Sequence, residues 1–401
     1  MSESIPVNAD VLRWARESLQ LTQGDVGERM KKSVEEIAAW ERGESSPTYV
    51  QLETLAYDIY KRPLALFFFP EPPEEETIQQ TFRTLPEFEL ERIPSRIRFL
   101  LRKARVLQLN LAELYDGLNP AAQKVIHDLT FSPSVSATSM ATRVREYFGI
   151  ALSQQQSWRG ADDALKRWRA VLEDRGIFVF KDSFNEQGKT RSLNLLGPFS
   201  GFCLYDPEFP IIYVNNNMPK TRQAFTMFHE LAHLLMQTGG VDASDEDYIQ
   251  HMDGDNKRIE VLCNQFAAEF LVPRRDFEDR SAGERIDNSM IENWANLYCV
   301  SRETILRRLF DQRRIDQSYY DSMVRQWSES QAGAGGPGGD YYNNKGAYLG
   351  GRYIEAVFRR YHQGRISVDQ VADYLGEKVE MCIVWRNGYL DTGRRPDDLR
   401  V

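Results

Sequence analysis

The stretch TRQAFTMFHELAHLLMQ, Thr221 to Gln237, decides how the chain is read. Phe225, Phe228, Leu231, Ala232 and Leu235 recur at helical spacing and form one apolar side. His229 and His233 are four residues apart, so a helix stacks both imidazoles one turn from each other on one face, where they can ligate one metal ion. Glu230 lies beside the pair, placed to accept a proton from a water activated at that ion; this is the mechanical content of an HExxH motif. Zinc is the expected ion, because two imidazoles and a carboxylate leave one position of its tetrahedral catalytic site open. Three fixed residues recur by chance in many proteins, with histidines that only cap or hydrogen-bond. Here the motif lies on a strongly apolar helix after a β-rich segment, and it takes two of the chain's five histidines.

A third ligand is needed, and the downstream candidates are Glu246, Asp247, His251, Asp253, Asp255, Glu260 and Glu269. Most fall in DASDEDYIQHMDGD, residues 242–255, which contains no Lys or Arg and reads as a solvated acidic loop. Glu260 instead opens the amphipathic helix RIEVLCNQFAAEFLVP, where Glu260, Asn264 and Ala267 share a stripe and Ile259, Leu262, Phe266 and Phe270 supply the buried face. Asn264, one turn on, is expected to hydrogen-bond the ligating carboxylate, with a plain helix-surface amide as the alternative. Cys263 is either an inhibitory thiolate near the metal or a small buried hydrophobe. Upstream, GIFVF, SGFCLY and PIIYVN are short β-type runs separated by Gly, Pro and Asn, so a small sheet precedes the motif helix. Because PIIYVNN directly precedes that helix, it is taken as the edge strand that a peptide substrate extends, with Tyr213 or Asn215 facing the cleft; plain core packing is the alternative.

HELAHLL followed by EVLCNQFAAEFLVP resembles the ImmA/IrrE family of bacterial zinc metallopeptidases, and the match runs upstream through RGIFVF, GFCLYDPEFPIIYVNN and KTRQAFTMFHE, covering roughly residues 165 to 310. The resemblance implies His229, His233 and Glu260 as metal ligands and Glu230 as general base. It also implies a regulatory activity: cutting a transcriptional repressor to release genes for stress response, mobile elements or phage defence. The fold class expected is α+β, a mainly helical multidomain chain with a zincin-like metallopeptidase core, in which a small β-sheet packs on the HExxH helix between flanking helical domains.

Near the N-terminus, VLRWARESLQLTQGDVGERMKKSVEEIAAWERGESSPTYVQLETLA resembles an XRE-type helix-turn-helix domain. By that likeness Val34, Glu35, Glu36, Ala38 and Ala39 point outward from the recognition helix. Base edges and phosphates call for Arg, Lys, Asn or Gln, so these are poor DNA readers. Residues 1–70 carry eight Lys and Arg against eleven Asp and Glu. Two readings follow: weak DNA binding, or a helix-turn-helix shape reused to dock a protein, the second preferred. The run Arg92 to Arg105 is either a surface for single-stranded nucleic acid or a solvated helix face.

The resulting domain plan is 1–70 helix-turn-helix; 71–158 helical connector, opened by the Pro- and Glu-rich FPEPPEEE; 159–327 peptidase; 328–340 Gly-rich linker; and 341–401 a small C-terminal helical domain. At 401 residues with 42% hydrophobic and 27% charged, the chain is long enough for several domains and is not disordered. Its net charge of −9 excludes coating of nucleic acid or membrane by bulk charge. Four scattered cysteines without a CxxC pair, no long apolar run and no signal peptide predict a cytoplasmic protein with no membrane association. The rival to the peptidase reading is a non-enzymatic helix-turn-helix regulator or antitoxin that keeps the peptidase fold as a scaffold. All of His229, Glu230, His233 and Glu260 are present, which favours the enzyme.

Overall fold

The computed structural model describes residues 6–74, 93–184, 199–237, 241–243, 254–331, 346, 348–380 and 382. They form two compact units, the described residues up to Arg105 and those from Val106 onward.

The first unit is helical. Helices α1 (Ala9–Glu17), α2 (Gln23–Met30), α3 (Val34–Glu41) and α4 (Tyr49–Glu53, prolonged by a wider π-type segment over Thr54–Tyr60) enclose Val11, Leu12, Val26, Ile37, Trp40, Leu52, Leu55 and Phe67. Each start has its chemical reason. Asn8, Thr22, Ser33 and Thr48 cap the four N-termini with side-chain oxygens, and Thr22 and Thr48 complete capping boxes with Asp25 and Gln51. Between α2 and α3 the chain turns through Lys31 at φ 54°, giving the tight helix-turn-helix connection. Glu41, 3% exposed, ties three elements together: it accepts from Arg16 Nε (2.7 Å), Arg16 Nη2 (2.9 Å) and Gln23 Nε2 (2.9 Å).

Helix α5 (Ser95–Leu114) gives its first half to this unit, where Ile97, Leu100 and Leu101 are buried and Phe99 packs on the core. Two cations of the basic run are spent within this unit. Arg98 is 8% exposed and donates to the Ile93 carbonyl, and Arg102 donates to the Tyr60 carbonyl at 3.0 Å. Burial of Arg98 brings its guanidinium down to about 10. Arg92 lies outside the described residues.

In the second unit, helices α6 (Val125–Asp128), α7 (Ala137–Phe148), α8 (Leu152–Gln156) and α9 (Ala161–Asp174) precede β1 (Phe178–Asp182), β2 (Phe199–Leu204) and β3 (Ile211–Asn215). Helix α10 (Lys220–Leu235), β4 (Val241–Ala243) and α11 (Gly254–Leu271) follow. Then come α12 (Arg274–Ser281), α13 (Asn288–Tyr298), α14 (Arg302–Asp311), α15 (Gln317–Gln331), α16 (Gly351–His362) and α17 (Val368–Leu375). The chain is thus mainly helical around one small sheet, an α+β arrangement. Among the described residues no helix is long and apolar enough to cross a membrane.

The sheet has the order β1-β3-β2-β4, with β1 parallel to β3 and the other pairs antiparallel. One face, Val179, Ile212, Val214 and Cys203, joins the main core under α10. The other carries an aromatic layer in which Phe202 stacks on Tyr213 at 5.0 Å and Phe180 meets Tyr353 of α16 at 5.5 Å.

This second layer corrects the expected C-terminal division. Residues 348–380 are part of the same unit rather than a separate small domain, because α16 closes over β1 and the second half of α5. Asn110 donates to the Tyr353 hydroxyl (2.9 Å), and Arg360 donates to the Leu114 carbonyl (2.6 Å) while pairing with Asp116. The expected 71–158 connector is likewise not one piece, since the boundary between units falls inside α5. Helix α15 runs to Gln331, past the expected linker start at Ser328; residues 332–340 lie outside the described residues.

Candidate metal centre

Helix α10 is buried along almost its whole length, which explains why its sequence is apolar nearly all round. It rests on β2 at Gly201, where an added Cβ would come within 2.8 Å of the Tyr213 carbonyl and overlap the Thr226 side chain. Only glycine admits so close an approach of helix to strand. Opposite the sheet, α10 packs on α11, with Phe228 stacked on Phe270 at 4.2 Å and Trp168 of α9 edge-on to Phe228 at 5.0 Å.

Four ionisable side chains are sealed into this packing: His229 (1% exposed), Glu230 (0%), His233 (0%) and Glu260 (2%). Burying such groups costs several kcal/mol each unless they are paired or hold an ion, so their presence together marks a candidate functional centre. Three of them converge. His229 Nε2 lies 3.2 Å from His233 Nε2 and 3.3 Å from Glu260 Oε2, and His233 Nε2 lies 3.3 Å from Glu260 Oε1. Among the described residues these three alone form a group of His, Cys, Asp or Glu able to hold a metal.

The spacing fits zinc. Ligands about 2.0–2.1 Å from a tetrahedral ion stand about 3.3 Å apart along each tetrahedron edge. Two imidazoles and one carboxylate are also the donor set of a catalytic zinc site with one open position. Burial pushes the Glu260 carboxyl up, but the facing imidazoles of His233 and His229 pull it further down, so it sits well below the ordinary carboxylate range. It is ionised, as a ligand must be.

The remaining sequence candidates fall differently. Asn264 is next to the ligands, but its Oδ1 faces His229 Nδ1 at 3.0 Å; its partner is the imidazole rather than the carboxylate. One helical turn separates Glu260 from Asn264, and that step carries the amide past the carboxylate to the far side of the His229 ring. Cys263 is fully buried in the apolar core and does not belong to the ligand group, so the inhibitory-thiolate expectation gives way to the small-hydrophobe one.

Tyr213 and Asn215 do not face a substrate cleft. β3 is an interior strand, hydrogen-bonded to β1 on one side and β2 on the other, and offers no free edge. Tyr213 is held in the aromatic layer with its hydroxyl 3.3 Å from Asp182 Oδ2. The Asn215 amide is spent on the Phe199 carbonyl (2.7 Å) and the Asn217 N–H (3.0 Å).

Glu269 is a clamp rather than a ligand. It accepts from the Arg274 N–H (3.1 Å) and Arg308 Nη2 (2.8 Å), while Arg308 also donates to the Val272 carbonyl (2.7 Å). Asp255 belongs to the first turn of α11, but its side chain is not among those described; Glu246, Asp247, His251 and Asp253 lie outside the described residues.

Sequence reasoning missed the groups that hold α11 still. Its last carbonyls are taken by Arg145 (to Phe270) and by Gln155 Nε2 (to Leu271, 2.9 Å), and Arg145 lies over the Phe270 ring at 4.6 Å. Nothing in the sequence marks them: Gln155 stands in the polar run SQQQS and Arg145 in the mixed run RVREY. Also missed was Arg169. Phe178 N–H bonds the Pro210 carbonyl of the β3 side, so the alternate residue Val179 points its carbonyl outward, and Arg169 donates to it. The guanidinium, paired with Glu173 at 3.0 Å, occupies the outer edge of β1. Gly350, at φ +84°, lies directly against it, where a Cβ would overlap the guanidinium.

Comparison with known proteins gives two domain matches. Residues 172–310 match the family model of a peptidase family, the IrrE N-terminal-like domain, and residues 12–56 match a helix-turn-helix model. The radiation response metalloprotease IrrE of Deinococcus deserti is 38% identical over 77 residues, which is 19% of this chain and 27% of that protein. The chain thus matches little more than a quarter of that relative's length. A Mycobacterium tuberculosis transcriptional regulator of known structure is 20% identical, with 43% of this chain and 46% of that one aligned at a TM-score of 0.29.

Proposed function

We propose that this chain is a zinc-dependent endopeptidase that cleaves a partner transcriptional repressor, probed below as a small helix-turn-helix protein, and so switches on a bacterial stress, mobile-element or phage-defence response. The observation that carries the reading is the convergence of His229, His233 and Glu260 to within 3.3 Å in a sealed site one residue from buried Glu230. Zinc held by these three side chains would act as a Lewis acid, polarising the scissile carbonyl and acidifying a water. Glu230 takes the proton of the attacking water and returns it to the leaving amine nitrogen. Its seat on the same helix as two ligands fixes that proton-transfer geometry. The low-dielectric surroundings strengthen every charge interaction there.

A peptide strand meets a sheet at an edge, and the two edges differ. Arg169 occupies the outer side of β1, whereas β4 adjoins α10 and pairs with β2 alone among the described residues. We therefore assign substrate pairing to β4 in place of β3. Such an enzyme would work in the cytoplasm, where its substrate meets DNA.

Two experiments test the site. Metal analysis of the purified protein should return about one zinc per chain, and Glu260→Ala should weaken zinc binding while Ala at His251 or Asp253 barely alters it; the opposite ranking would move the third ligand into the acidic loop. Incubation of the zinc-loaded protein with the small helix-turn-helix protein encoded nearest its gene should yield one cut. An intact partner alongside full zinc occupancy would leave a metal protein without this activity.

For the first unit we favour protein docking over DNA reading. Two cations flanking α3 are engaged by carboxylates: Lys32 with Glu36 at 2.8 Å, and Arg42 with Glu44 at 2.7 and 2.8 Å. Glu35 is exposed and Ala39 partly so, while Ala38, expected to point outward, is 8% exposed and belongs to the packed side. Duplex DNA should bind the full chain no tighter than the roughly 10⁻⁴–10⁻⁶ M of non-specific contacts at physiological salt. Sub-micromolar, sequence-selective binding to its own upstream region in a filter-binding titration would instead make it a DNA-bound protease.

A further inference from the structure

We infer that Asn264 is a positioning residue that fixes the proton of His229 on Nδ1 and thereby keeps Nε2 available as a metal donor. The inference rests on the metal reading above, but its test does not require peptidase activity. Asn264 Oδ1 lies 3.0 Å from His229 Nδ1. An amide oxygen only accepts, so the imidazole must donate from Nδ1; a neutral ring then carries its lone pair on Nε2. That is the nitrogen lying 3.2 Å from His233 Nε2 and 3.3 Å from Glu260. In the other tautomer a hydrogen would point into the centre and block a cation.

The position of Asn264 makes this hold stiff. It is one turn beyond Glu260 on α11, so a ligand and the group that orients another ligand share one rigid element. The far end of that helix is pinned by Gln155, Arg145 and Arg308.

The chemistry of an amide at this place differs from that of a carboxylate. An Asp would share the Nδ1 proton more strongly, raise the donor strength of Nε2, and add a further negative charge beside Glu260 and Glu230. Asn264 orients the ring without that charge. Glu260 is then the only charged ligand, and a divalent ion in the centre keeps a net charge of about +1. Asn264 thus sets direction while leaving the ion's polarising power largely uncancelled.

The test uses the full-length protein and zinc as the probe, in chelator-competition titrations, together with ¹⁵N–¹H correlation spectra of the metal-free imidazoles. Asn264→Leu keeps the branched shape and removes the acceptor. It should weaken zinc affinity about 10–100-fold and turn the single Nδ1–H form of His229 into a tautomer mixture, with an unchanged thermal melt. Asn264→Asp should restore zinc affinity to at least the original level. Zinc affinity within twofold of the parent in Asn264→Leu, failure of Asn264→Asp to rescue, or an Nε2–H form of His229 in the parent would each overturn the assignment. Should Asn264→Leu fail to fold, Asn264→Asp and the parent spectrum decide it alone. A parent that binds no zinc would end the metal reading, while the tautomer measurement would still stand for or against Asn264.

Discussion

Glu230→Gln should leave zinc binding intact and lower turnover about 10²–10⁴-fold, the usual contribution of a positioned general base. The substitution is nearly isosteric, so the packing around a residue with 0% exposure is preserved. What changes is proton affinity: an amide cannot take the proton of the attacking water. Single-turnover cleavage of the proposed repressor substrate, measured beside metal content, separates the two effects. Near-normal cleavage by this variant would remove Glu230 from the mechanism and require another base.

His233→Ala should lose metal and activity together, and so should His229→Ala. If the roughly 10–16 kcal/mol of a zinc site is shared among its ligands, deleting one weakens binding on the order of a hundredfold or more. The cavity left by a fully buried imidazole adds a packing loss. The pH dependence has a definite sign. Binding needs neutral rings and an ionised carboxylate, so zinc occupancy falls as pH falls. Because Glu260 is held below the ordinary carboxylate range, its charge is not the first thing acid removes. Zinc occupancy followed against pH checks this; a site that fills as pH is lowered would contradict it.

The local pattern and the long-range arrangement differ in how far they could be read from sequence. The spacing of His229 and His233 is a property of one helix, and a helix converts sequence distance into direction at a fixed rate. Glu260 was legible for a similar reason: it opens an amphipathic helix, and the resemblance of EVLCNQFAAEFLVP named it. The Asn264 partner was not, because one stripe on α11 faces two side chains of α10 and the helix crossing decides which it meets. Strand order was lost more thoroughly. PIIYVNN reads as a strand from its β-branched and aromatic residues, but whether it is an edge depends on β1, made about thirty residues earlier, returning parallel beside it. Arg169 was hidden for the same reason, since its acceptor is a backbone carbonyl whose direction follows from strand pairing. In the first unit, Glu35 was placed correctly, whereas Ala38 was assigned to the wrong side of a two-turn helix.

The lid that α16 forms over the sheet also bears on how this protein is made. Phe180 belongs to a strand that leaves the ribosome long before Tyr353 does, so its ring waits for its α16 partner until the chain has been made past that helix. A chain that stops short of Gly350 has every residue of the His229, His233 and Glu260 centre but lacks the helix that meets Phe180 and ties down the second half of α5. Such a fragment would expose aromatic surface and become prey for cellular quality control. The helix made after the centre would thus let a cell tell a product that includes it from one cut short before it.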